Sequence, residues 1–124
     1  MDLNNYKIQL YNGNNQQVYN TETLSGTCSP PNQFLVVNYP SNGIQNGSPD
    51  GIALIDADDS VIEFISYEGS FTAADGFAVG VTSVDVGVSE GSGVGVGKSI
   101  QRTGSGCEAS DFSWVTDVDE SKSW

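Results

Sequence analysis

Six carboxylates, Asp50, Asp56, Asp58, Asp59, Glu63 and Glu68, lie in SPDGIALIDADDSVIEFISYEGSF, residues 48–71, a stretch that is otherwise strongly apolar. Three uses compete for them: a metal site, an acid/base pair, or a hairpin turn with solvated charges. Asp56, Asp58 and Ser60 have the alternate spacing of a calcium loop. Counted from Asp56, however, Val61 and Tyr67 stand where the helix-loop-helix calcium motif needs Gly and Glu. What remains for metal is a low-affinity surface calcium site at Asp56 and Asp58. Division of labour between two acids needs environments that push their pKa values apart, and turn carboxylates sit in water. Glu63 is flanked by Ile62 and Phe64, but alternation sends it to the face opposite Ile62. The leading reading is a β-hairpin that runs through Ile52–Ile55, turns at Asp58 and Asp59, and returns through Val61–Ile65.

Other chemistries are bounded by what the chain contains. It has no histidine, which removes the commonest general base, the triads built on it and most zinc sites. The expectation is therefore not an enzyme, with no cofactor. GVSEGSGVGVGKS resembles a phosphate-binding loop, but five residues separate Gly91 from Gly97 where the motif requires four, and Ser92 stands where the first glycine should be. Cys28 and Cys107 each lie in a polar, turn-rich neighbourhood and are either free thiols or a bridged pair. Turn cysteines in an acidic, Asn- and Gly-rich chain favour the bridge, which would imply an oxidising compartment and stabilise the fold by about 4 kcal/mol.

The elements that must position these residues are strands. Val, Ile, Tyr, Phe and Thr recur between clusters of Gly, Asn and Ser, and no stretch carries an amphipathic helix, so the chain reads as all-β. In YKIQLY, Tyr6, Ile8 and Leu10 share one face and Lys7, Gln9 and Tyr11 the other. Further strands are expected at Val18–Tyr19 leading into Thr23–Leu24, and at Phe34–Tyr39, Gly51–Asp56, Val61–Tyr67, Lys98–Thr103 and Phe112–Val115. Their short, turn-bounded spacing suits a sandwich or barrel. Thr72–Gly97 holds seven of the fifteen glycines and reads as a long connection, either structural or a ligand surface.

At 124 residues, one domain spanning residues 2–124 is expected. A formal charge of -12 and a pI near 4.1 repel a phosphate backbone, so direct nucleic-acid binding is not expected. No apolar run approaches the roughly 20 residues of a membrane span.

The blocks KIQLYNGNNQQVYNTETLSG, YPSNGIQNGSPDGIALIDADDSVIEFISYEGSFTAADGFAVGVTSVDVGVSE, KSIQRTGSG and SDFSW, in that order, resemble the lamin tail domain in its bacterial secreted form. The resemblance implies an immunoglobulin-like β-sandwich without catalysis of its own, a binding, adhesion or targeting module. Such modules are commonly attached to extracellular hydrolases such as nucleases, at the cell surface or in the secreted fraction. The partner is then a protein or a cell-surface glycan. In the alternative use, as a carbohydrate-binding or calcium-dependent module, Tyr67, Phe71, Phe77 or Trp114 would stack on a sugar. Family members carry a further strand ahead of the segment that matches DLNNYKIQLYNG, so an uncovered sheet edge and homo-oligomerisation through it are expected.

Overall fold

The computed structural model describes residues 1–28, 34–90 and 95–119. Among these, every regular element is a β-strand except one 3₁₀ turn at Ala109–Asp111, so the chain is all-β. Two compact units divide it, Met1–Asp85 and Val86–Trp124.

The first unit is one five-stranded sheet. Its strands are β1 (Lys7–Asn12), β2 (Gln17–Thr23), β3 (Asp50–Ile55), β4 (Val61–Tyr67) and the two-residue β5 (Val84–Asp85), in the order β2-β1-β3-β4-β5. All neighbours are antiparallel except β4 and β5, which are parallel. Two hairpins supply four of the strands, and side chains fix both turns. Between β1 and β2 the Asn12 carboxamide oxygen accepts the Asn14 N–H at 2.9 Å and that of Asn15 accepts the Gln17 N–H at 3.0 Å. Between β3 and β4 Asp56 Oδ1 accepts the N–H groups of both Asp58 and Ser60, at 2.9 and 2.8 Å. Asn and Asp suit these places because a short side-chain acceptor reaches the backbone two residues on.

Register decides which side chains meet. Gln9 opposes Ala53, Ala53 opposes Phe64, Tyr11 opposes Gly51 and Gly51 opposes Ser66. One sheet face therefore gathers Gln9, Tyr11, Ala53, Ile55, Phe64 and Ser66. This is the core face: Tyr11, Ala53, Ile55, Phe64, Phe71, Ala73 and Ala78 form a single buried cluster. Its centre is aromatic, with Phe64 5.0 Å from Tyr11 and 5.4 Å from Phe71 in an edge-to-face contact. Each such pair adds about 0.5–1.5 kcal/mol beyond the area it buries. Gly51 makes room for it, since a Cβ there would lie 2.8 Å from the Phe71 ring. The opposite face carries Ile8, Leu10, Ile52, Leu54, Ile65 and Tyr67; Leu10 is fully buried and the rest are half-buried. Both faces of β1 are thus lined with apolar groups, and the Tyr6–Ile8–Leu10 face is not the one that holds the aromatic centre.

The second unit is a hairpin of β6 (Lys98–Gly104) and β7 (Phe112–Asp119). Asp111 Oδ2 accepts the N–H groups of Cys107 and Glu108, both at 2.9 Å, and holds the turn. Lys98 and Asp119 pair at 2.7 Å at the open end.

Two expectations need correction. Phe34–Tyr39 forms no strand; it runs as irregular chain with Phe34, Leu35 and Val36 exposed. Cys28 and Cys107 are free thiols, not a bridged pair. Residues 91–94 of the glycine-rich run lie outside the described residues.

Candidate functional site

The most elaborately built part of the first unit is the connection from Phe71 to Ser83, which closes the core face of the sheet. Phe71, Ala73 and Ala78 point inward and are buried. Ser83 returns to the sheet by donating its hydroxyl to Ser66 Oγ at 2.7 Å while accepting the Phe71 N–H at 3.0 Å. Within the connection the Ala73 N–H reaches the Val81 carbonyl at 3.0 Å, and the Gly80 N–H the Ala73 carbonyl at 2.9 Å.

Tyr11 and Gln9 fix its middle. The Tyr11 hydroxyl accepts the Ala78 N–H at 3.2 Å and shares its one proton between Gln9 Oε1 at 3.1 Å and the Asp75 carbonyl at 3.0 Å. Gln9 Oε1 also accepts the Phe77 N–H at 2.9 Å, while its Nε2 donates to Thr21 Oγ1 at 3.1 Å. Burial raises the Tyr11 pKa, the Ala78 N–H opposes that rise, and the Asp75 charge adds to it. Asp75 Oδ1 accepts the Val18 N–H at 2.8 Å, and the Ala74 N–H reaches the Gln16 carbonyl at 2.8 Å. Gly76 sits where only glycine fits: its φ is +71°, and a Cβ would lie 2.3 Å from the Tyr11 hydroxyl.

The outward side of this pinned loop is apolar. Phe77, Val79 and Val81 are 38%, 59% and 40% exposed. The Lys7 ammonium lies 5.0 Å from the centre of the Phe77 ring and pairs with Asp59 of the β3–β4 turn.

Asp56 and Asp58 lie in that turn, as expected. The Asp56 carboxylate is used by the turn's own backbone, and among the described residues no group of three Asp, Glu, Cys or His side chains is arranged to hold a metal ion. Asp50, 1% exposed, accepts N–H groups from Gly13 and Gly47.

The four aromatic residues that could stack on a sugar are scattered in role. Phe71 is 7% exposed and belongs to the core cluster, so its ring is spent on packing. The Tyr67 hydroxyl donates to the Gln45 carbonyl at 2.6 Å, and the Gln45 N–H is in turn bound by the Tyr19 hydroxyl at 2.9 Å. Burial, and then the charge of Asp50, push the Tyr67 pKa well above the ordinary tyrosine value. Trp114 of the second unit is covered by the Arg102 guanidinium, 4.9 Å from its ring. Phe77 alone of the four stands on the outward side of the loop.

Sequence reasoning did not single out Gln9 and Tyr11, whereas Val79 and Val81 fall inside the Thr72–Gly97 connection that it offered as a ligand surface. The one signal available was the Tyr, Gln and Lys alternation of β1, which reads as a solvent face until the loop is laid on it.

A comparison with known proteins finds no match among family models, curated proteins or solved structures.

Proposed function

We propose that the chain is a non-catalytic binding, adhesion or targeting module of a secreted or cell-surface bacterial protein. Its fold in this reading is the immunoglobulin-like β-sandwich implied by the lamin-tail resemblance. The observation that carries the reading is the use to which the acids are put. Asp50 and Asp56, two of the six carboxylates that first suggest catalysis, accept backbone N–H groups, as do Asp75 and Asp111 elsewhere, so these acids serve as braces for turns and loops. The antiparallel hairpins β1–β2, β3–β4 and β6–β7 also suit such a sandwich.

The test is a pair of measurements on the full chain. Assays with nuclease, phosphatase and glycosidase substrates should be blank, and turnover that survives repurification would sink the proposal. A glycan array read with and without calcium then separates the two binding uses. Calcium-dependent sugar binding would favour the carbohydrate module over a protein-binding one.

A further inference from the structure

We propose that the outward face of the Phe71–Ser83 loop, formed by Phe77, Val79 and Val81, docks a basic polypeptide segment that presents apolar side chains. The inference rests on the binding-module reading and names the surface and the chemistry of the partner.

Fold stability gives little reason for an apolar side chain at Val79, which is 59% exposed. Ala73 and Ala78 make the loop's inward contacts and are 3% and 0% exposed, whereas Val79 and Val81 point to solvent. Three partly exposed apolar side chains within five residues of one loop make a candidate interaction surface. The loop is also set in shape before any partner arrives. The Phe77 and Ala78 N–H groups are bound by Gln9 and Tyr11, and the Gly80 and Val81 N–H groups by the Ala73 and Ala78 carbonyls. A partner therefore incurs little loop-ordering cost, which is how a small apolar patch gains useful affinity.

Charge selects the partner. Ten of the sixteen acidic residues but only one basic residue, Lys7, fall between Met1 and Asp85. The ammonium of Lys7 is already paired with Asp59 and lies over the Phe77 ring, so the cation nearest the patch is neutralised in place. With ten acids against that one paired cation the first unit is strongly negative, and its charge draws a basic segment in. The same charge disfavours a second copy of a chain at -12, and disfavours an anionic membrane surface. A sugar face needs an aromatic platform more than it needs valines.

The test uses the full chain, with a synthetic peptide of alternating Lys and Leu as probe and a Lys–Ser peptide of equal length and charge beside it. Calorimetry should show the Lys–Leu peptide binding at least about tenfold more tightly, the size expected from burying one or two aliphatic groups. Both affinities should fall as salt shortens the Debye length to about 3 Å near 1 M. Val79→Ser with Val81→Ser should abolish the preference. Val79→Ser alone should roughly halve it in free-energy terms, which keeps the test in hand if the double variant melts early. Equal binding of the two peptides, a preference untouched by the substitutions, or equal binding of a Glu–Leu peptide would each overturn the assignment. Failure of this surface and failure of the module reading are distinguishable. Equal binding of the Lys–Leu and Lys–Ser peptides, with hydrolase assays blank, overturns the surface alone. Catalytic turnover overturns the reading beneath it.

Discussion

The Tyr11 hydroxyl and the Ala78 backbone N–H, 67 residues apart in sequence, meet at 3.2 Å in the buried centre of the first unit. This bond ties the loop that seals the core to the strand at the middle of the hairpin pair. Tyr11→Phe keeps the ring against Phe64 and Phe71 but leaves the Ala78 N–H without its acceptor. The loss should be about 1–3 kcal/mol, the penalty for a buried donor left unsatisfied. In urea the transition midpoint should fall at unchanged slope. A midpoint within error of the parent would show that the loop is held by Gln9 and the apolar contacts alone.

Gly76 and Gly80 offer a paired test of the same loop. Both have positive φ, +71° and +80°, so alanine meets a backbone penalty at each. Only at Gly76 does a Cβ also collide, lying 2.3 Å from the Tyr11 hydroxyl and 2.5 Å from the Val18 side chain, whereas nothing lies within 4 Å of a Cβ at Gly80. Gly80→Ala should cost about 1 kcal/mol and Gly76→Ala at least about 1–3 kcal/mol more, the range for overpacking. Equal losses would mean that the loop lifts away from Tyr11 freely.

How far these relationships could be read from the sequence differs by element. The β3–β4 hairpin was legible because its signals are local: an apolar run, an Asp-rich turn and a second apolar run, with Asp56 bracing residues two and four positions on. The core face of β1 was not, because Lys7, Gln9 and Tyr11 look like solvent-side residues, and what buries two of them arrives from residues 75–78. FLVVNY has strand propensity yet runs as irregular chain, and propensity alone does not build a ladder. β5 holds two residues and pairs in parallel with β4, too short to leave a periodic trace. The acids were located correctly, but their role as backbone acceptors depends on which N–H groups the turns bring to them.

The edge strand tempers the expectation of self-association. β2 is an outer strand of the sheet, yet its Val18 N–H is already taken by Asp75 and the Gln16 carbonyl beside it by Ala74. Asp75→Ala uncovers that end of the edge. Sedimentation at high salt should then show more association than in the parent, since screening removes the repulsion that otherwise opposes strand pairing. Identical profiles for parent and variant would show that Asp75 does not guard the edge.

The cysteines give a direct chemical readout. With Cys28 and Cys107 free, reduction should leave the intact mass unchanged, and both thiols should take an alkylating reagent. Cys107 is exposed and Cys28 only partly so, which orders the rates with Cys107 first. A gain of about 2 Da on reduction would instead report a disulfide.

Tyr67, with Tyr11, Tyr19 and Tyr39, should weaken the fold in alkali. The pKa of each is raised, and burial is the largest cause in every case. A tyrosine whose folded pKa exceeds its unfolded value of about 10 holds its proton more tightly in the native state. Its contribution is fully present below about pH 10 and is lost as the pH climbs through the folded value, because only the unfolded chain can ionise there. Urea midpoints should therefore be level from neutral pH to about 10 and fall above it. Tyr67→Phe removes the largest of these shifts, and with it the bond to the Gln45 carbonyl, so the variant should start about 1 kcal/mol less stable yet lose less on alkaline titration. Circular dichroism across the alkaline range checks both parts. Parallel alkaline losses in parent and variant would mean that Tyr67 ionises as readily folded as unfolded.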